Sequence, residues 1–170
     1  AGCLAAVIEA DRAEETLARL DAPPAAFPAG ILAVDDTTLA LGRLAGWHRG
    51  RLGGEVVGVT GSNGKTTVKR MIDHVLSVRR RGTCSPKSFN NAIGVPLTLL
   101  SAAVGDDYVI CEIGTSAPGE VEALGRIARP KVGVITSIGP SHLEGLGGIE
   151  GVAREKGSLL ETVDPNGLGV

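Results

Sequence analysis

The chain has 170 residues, 43% of them apolar and 21% charged, with a formal net charge of −2. That balance belongs to a folded globular protein with a real core and excludes a disordered chain. Near-neutral charge and 2% aromatic content also argue against a basic, base-stacking surface for nucleic acids.

The chain starts Ala1-Gly2-Cys3-Leu4, with neither an initiator Met nor the basic flank of a signal peptide. It therefore reads as an excised or truncated piece. Residues 4–8 fit a short strand and residues 14–20 a helix, after which Pro23-Pro24 and Pro28 break the chain. Residues 31–34 read as another strand. Asp35, Asp36 and Thr37 offer capping side chains to a helix running to about Trp47, on which Leu41, Leu44 and Ala45 recur at helical spacing. Residues 50–54 read as a linker. On this pattern residues 1–52 are the tail of a small α/β N-terminal domain, and residues 53–170 belong to a central domain.

From Glu55 the character changes. Three short runs rich in Val and Ile, at residues 55–60, 108–113 and 132–138, are what strands covered on both faces look like. Helical patterns follow each. Val68, Met71, Ile72, Val75 and Leu76 follow the first; Val121, Leu124 and Ala128 follow the second; Ile149, Val152, Ala153, Leu159, Leu160 and Val163 follow the third. This alternation predicts a doubly wound, mainly parallel α/β sheet. No apolar run nears the ~20 residues that span a bilayer. Cys3, Cys84 and Cys111 form neither a disulfide framework nor a zinc spacing, which fits a reducing cytoplasm.

The chemistry concentrates at strand ends. Thr60-Gly61-Ser62-Asn63-Gly64-Lys65-Thr66-Thr67 lies between the first core strand and its helix. Gly61 and Gly64 let backbone N–H groups turn toward phosphate oxygens, and a helix N-terminus adds positive potential. Lys65 can reach terminal phosphates and the Thr66 hydroxyl can ligate Mg²⁺. The general phosphate-loop pattern asks for Gly at position 59, where this chain has Val59. Glu112 ends the second core strand, where a carboxylate either binds Mg²⁺ or caps the following loop. His142, in Ser141-His142-Leu143-Glu144, is a metal ligand or a loop histidine. Lys156 falls on the apolar stripe of the last helix, while Arg154 and Glu155 point elsewhere. It is a snorkelling side chain or a functional amine of lowered pKa, one able to form a carbamate with CO₂. Asn90-Asn91, ahead of a short helix opened by Gly94-Val95-Pro96, sits on the active edge, within reach of a substrate.

Together these segments resemble the Mur ligases, in which Val59 is normal. Thr60–Thr67 resembles their ATP-binding loop. Asn90-Asn91-Ala-Ile-Gly-Val-Pro, Glu112-Ile-Gly114, His142-Leu-Glu-Gly-Leu-Gly147 and Gly151-Val-Ala-Arg-Glu-Lys-Gly157 are similar to the branch that adds D-alanyl-D-alanine. The resemblance covers roughly residues 31–164. It implies an ATP-dependent ligase of peptidoglycan precursor synthesis, acting as a monomer without nucleic acid. ATP and Mg²⁺ are its implied cofactors; UDP-N-acetylmuramoyl-tripeptide and D-alanyl-D-alanine are its implied substrates. Lys65 would hold the ATP phosphates, with residues 60–67 around them. Thr66 and Glu112 would bind one Mg²⁺; Glu112, His142 and a carbamylated Lys156 would hold a second. The substrate carboxylate would attack the γ-phosphate, and an amine would then displace phosphate from the acyl phosphate. The family has three domains, so the C-terminal one is expected to be absent here and this chain inactive alone. A ligase adding the third amino acid, a folylpolyglutamate or cyanophycin-type enzyme, and a non-catalytic nucleotide-binding module stand as alternatives.

Overall fold

The computed structural model describes residues 5–19 and 30–170. Residues 4 and 20 and the break at Pro23-Pro24 and Pro28 lie outside the described residues. The chain divides into two units, Ala1–Leu41 and Gly42–Val170. That division falls earlier than the change of composition near residue 52.

In the first unit β1 (Ala6–Glu9) pairs in parallel with β2 (Ile31–Val34), and a 3-10 turn leads from β1 into α1 (Ala13–Arg19). Helix α2 (Thr37–Arg49) starts where Asp36 caps it, its carboxylate accepting the Leu39 N–H at 2.8 Å. The helix then runs on into the second unit, where Gly42 and Ala45 are buried. A side chain at Gly42 would press on Ile127, 3.1 Å away, which accounts for glycine at that contact.

The second unit is a five-stranded, wholly parallel sheet in the order β4-β5-β3-β6-β7. Its strands are β3 (Glu55–Thr60), β4 (Gly82–Cys84), β5 (Tyr108–Glu112), β6 (Val132–Ile135) and β7 (Leu168–Gly169). Both faces are covered, as the Val-rich runs require. Val56, Val109 and Cys111 face one cluster with Val95, Leu99, Val121, Leu124 and Leu159. Val57, Val59, Tyr108 and Ile110 face the other, against Val68, Ile72 and Leu76. Helix α3 (Lys65–Leu76) therefore covers one face, while α4 (Gly94–Ser101), α5 (Glu120–Ala128) and α7 (Ile149–Glu161) cover the other. The sheet grows from β3 to one side through β4 and β5, then switches to the other side with β6. Ligands of such sheets lie at that switch, beyond the carboxyl ends of the strands.

Several expectations shift. On α3 the expected stripe included Met71 and Val75, yet these are 63% and 70% exposed; Val68, Ile72 and Leu76 of that stripe pack half-buried against the sheet, and Lys69 beside them is buried. The strand expected over residues 132–138 ends at Ile135, because residues 136–139 turn aside to bind the phosphate loop. Helix α7 stops at Glu161. Strand β4 and the four-residue helix α6 (Leu143–Leu146) were not foreseen as elements.

Candidate nucleotide and metal site

The loop between β3 and α3 is strapped to the segment after β6. The Ser62 N–H donates to the Ser137 carbonyl at 2.9 Å and the Asn63 N–H to the Ser137 hydroxyl at 3.0 Å. The Ser62 hydroxyl donates to the Gly139 carbonyl at 2.8 Å, and the Ser141 hydroxyl donates to Ser62 Oγ at 3.0 Å. Gly61 adopts φ 143° and a Cβ there would collide with the Thr136 hydroxyl, so only glycine fits this strap. The expectation that loop N–H groups turn toward phosphate oxygens is thus narrowed. Those of Ser62 and Asn63 are used by the strap, and the free donors lie in the first turn of α3, where N–H groups lack intrahelical acceptors. Lys65 Nζ folds back to donate to the Gly61 carbonyl at 2.6 Å. The Thr60 hydroxyl is buried and makes no hydrogen bond among the described residues. Val59 lies inside β3 with no exposed surface, packed in the α3-side cluster. The departure from the general loop pattern is therefore a core position, and the tight turn begins only at Gly61.

Glu112 ends β5 directly beside this loop. One carboxylate oxygen, Oε2, accepts from the Thr66 hydroxyl at 2.9 Å and from the Lys69 ammonium at 2.8 Å; Oε1 accepts from the Asn90 side-chain amide at 3.1 Å. Burial pushes this carboxyl up, but the hydrogen bonds from Lys69, Thr66 and Asn90 and the Lys69 charge outweigh it, leaving the pKa below the usual 4.5. A hydroxyl and an ionised carboxylate on adjacent elements are the hard oxygen donors that Mg²⁺ takes. The glycine-turned loop and helix end beside them suit a nucleotide phosphate. The residues present fit both groups.

A cavity of about 340 Å³ opens on the same edge, lined among others by Lys65, Asn90, Asn91, Gly114, Glu120 and His142. So the structure brings the phosphate-loop lysine, both asparagines and the histidine to one space. His142 stands at φ 52°, an uncommon conformation for this residue, at the start of α6. Asn91 has a local task as well: its side-chain oxygen accepts the N–H groups of Ile93 and Gly94 at the start of α4. Lys156 is 2% exposed and makes no hydrogen bond or ion pair among the described residues. Its ammonium is disfavoured first by burial and then by the charge of Lys65, with partial relief from Glu155, so its pKa is lowered. Among the described residues no three His, Cys, Asp or Glu side chains gather as a metal nest. Only Thr66 and Glu112 of the expected metal set touch.

Two buried charges near the site were not apparent from the sequence. Lys69 is 1% exposed and pairs with Glu112. Its spacing after Lys65 (one turn) and before Ile72 and Leu76 was the available signal. Glu155, expected to point away from the core, is buried instead. Its carboxylate accepts the Gly119 and Val121 N–H groups at 2.7 and 2.9 Å and the Thr115 hydroxyl at 3.1 Å. It thereby caps α5 from the neighbouring helix and shapes the loop that lines the cavity.

Comparison with known proteins agrees with this geometry. The Mur ligase middle domain matches residues 59–170. The UDP-N-acetylmuramoyl-tripeptide–D-alanyl-D-alanine ligase of Bacillus subtilis is 44% identical over 138 residues, which is 81% of this chain and 30% of that protein. Its Escherichia coli counterpart is 38% identical over 139 residues, 82% of this chain and 31% of that protein. Among solved structures, MurF from Acinetobacter baumannii superposes with a TM-score of 0.82 at 32% identity, covering 96% of this chain and 33% of that one. The MurF ligase of Thermotoga maritima in complex with ADP gives 0.77 at 33% identity, over 82% of this chain and 33% of that one. The chain thus spans about a third of the length of the relatives it matches. With the phosphate loop, the strand-end carboxylate and the matched span in agreement, the chain belongs to the Mur ligase family and carries its middle domain.

Proposed function

We propose that this chain is the ATP-binding part of a ligase that joins D-alanyl-D-alanine to UDP-N-acetylmuramoyl-tripeptide in peptidoglycan precursor synthesis. The contact that carries the reading is Thr66 to Glu112 at 2.9 Å, beside the phosphate loop and next to Lys65 and Asn90, which line the cavity. The names of the relatives from B. subtilis and E. coli supply the substrate pair. Lys65 and the first turn of α3 bind the ATP phosphates. Thr66 and Glu112 would hold a Mg²⁺ ion, which would supply neutralisation of phosphate charge; the substrate carboxylate attacks the γ-phosphate held by the loop. The amine of D-alanyl-D-alanine then displaces phosphate from the acyl phosphate. His142 and Lys156, the latter as a carbamate, would hold a second cation with Glu112, and Asn90 and Asn91 would border the peptide substrate. A nucleotide-linked precursor and ATP place the reaction in the cytoplasm; no described helix is long and apolar enough to cross a membrane.

The test uses the full-length protein that carries this chain. Phosphate release should require ATP, the UDP-linked tripeptide and D-alanyl-D-alanine together. Equal turnover with a single amino acid as acceptor would assign a different ligase, and ATP binding without any turnover would reduce the chain to a nucleotide-binding module. Lys65→Ala should weaken nucleotide binding at least about tenfold, some 1.4 kcal/mol, by isothermal titration.

A further inference from the structure

Lys69 is the largest fully buried side chain of the described residues, yet the reaction proposed above gives it no task. Its ammonium has three donors, and all three are engaged: Glu112 Oε2 at 2.8 Å, the Ser85 hydroxyl at 3.0 Å and the carbonyl of Lys87. The Lys87 backbone is itself held at φ 46°. The Ser85 hydroxyl in turn accepts the Glu112 N–H at 3.3 Å. A lysine so anchored is a fixed point charge, placed against one oxygen of the carboxylate that faces the phosphate loop. Carboxylate and ammonium together carry no net charge. The second carboxylate oxygen is held by Asn90, and no group of three acidic, His or Cys ligands stands nearby among the described residues. A hard divalent cation is attracted by ligand charge, and this pair offers it none.

We propose that Lys69 is a positioning residue that balances the charge of Glu112, so that the site takes up its divalent cation only together with a nucleotide and not as the free ion. The phosphates supply the negative charge that the Lys69–Glu112 pair withholds. The same ammonium ties the segment from Ser85 to Lys87 to Glu112, so the rotamer of the carboxylate and the path of the loop leading to Asn90 are set together. This inference rests on the reading of Thr66 and Glu112 as cation ligands.

Mn²⁺ binding, followed by loss of the electron paramagnetic resonance signal of the free ion, tests it in the full-length protein. The unmodified protein should bind Mn²⁺ with ADP present and at least tenfold more weakly without it. Lys69→Gln keeps hydrogen-bonding capacity but removes the charge. It should bind free Mn²⁺ about tenfold tighter than the unmodified protein, since a unit charge within a few ångströms acts on that scale even in a well-screened site. Lys69→Arg, which keeps the charge, should behave as the unmodified protein. A merely structural role for Lys69 predicts the opposite sign, weaker Mn²⁺ binding on losing it. Free Mn²⁺ affinity unchanged or lowered in Lys69→Gln, with Mn²⁺·ADP binding intact, overturns the inference and leaves the reading of the site standing. Tight binding of free Mn²⁺ by the unmodified protein overturns it without any variant, and so decides the matter if Lys69→Gln does not fold. No Mn²⁺·ADP binding by the unmodified protein overturns the cation site itself.

Discussion

Lys69 and Lys156 are both buried lysines on helices that cover the sheet, and the sequence announced only one of them. Lys156 stood out because its neighbours at helical spacing are Val152, Ala153 and Leu160. Lys69 hid because Met71 and Val75 suggested a stripe rotated away from it. The true inner edge of α3 is polar at its start, where the helix begins over the open edge of the sheet. Their environments differ as well. Lys69 has partners for every donor, whereas Lys156 has none among the described residues, and burial lowers its pKa from the usual 10.5. A lowered base releases its proton more readily folded than unfolded, so between the folded value and 10.5 the unfolded chain binds more protons and stability rises with pH. Lys156→Met should therefore melt higher than the unmodified protein at neutral pH, with the gap closing as pH climbs toward 10.5. An equal gap at pH 7 and pH 10 by differential scanning fluorimetry would contradict the stated environment of this lysine. That Glu112 would be held by three donors was beyond the sequence too, since Lys69, Thr66 and Asn90 reach it from two other segments.

At the scale of elements, the core strands and long helices were legible because their signals are long: Val-rich runs for β3 and β5, and recurrent apolar residues for α5 and α7. What escaped is short. Strand β4 has three residues and no apolar run, and α6 has four, so periodicity has nothing to act on. The start of α5 carries no local signal for a different reason: its cap comes from another helix. Glu155→Gln leaves a single accepting oxygen, so either the Gly119 or the Val121 N–H loses its partner, which should cost about 1–3 kcal/mol, read by urea denaturation. The elbow between α6 and α7 carries a second constraint. A side chain at Gly151 would collide with the carbonyl of Leu146. Gly151→Ala should force the two helices apart, displace the His142 segment, and cost at least about 2 kcal/mol, the scale of strained or overpacked sites. An unchanged denaturation midpoint would show that the elbow yields freely.

For the whole molecule, the doubly wound class followed from the alternation of strand and helix patterns, but the strand order did not. Nothing local tells β6 to cross to the far side of β3. That follows from which apolar faces remain to be covered once β5 has taken its place. The fold also sets the acid limit of stability. Glu112 is held below the usual carboxyl range by the balance described above. Glu120 is held there chiefly by the Ser116 N–H, against some burial and with help from Ala117. Carboxyls lowered on folding contribute stability that is present above about pH 4.5 and lost as pH falls through their folded values. The melting temperature should therefore hold from pH 7 to about 5 and drop below 4.5, and Glu120→Gln should blunt the drop. A variant with the same acid profile as the unmodified protein would remove Glu120 from the account.

The bond from Lys65 to the Gly61 carbonyl means that the phosphate loop rests as a closed latch. Any guest must replace that carbonyl as the partner of the lysine, and a neutral guest gains too little in the exchange. An anion gains a charge-assisted bond in return, so the latch itself filters for negatively charged ligands before any larger motion begins. Small tetrahedral anions such as sulfate should accordingly compete with nucleotide at this point, while an uncharged nucleoside should find the latch shut.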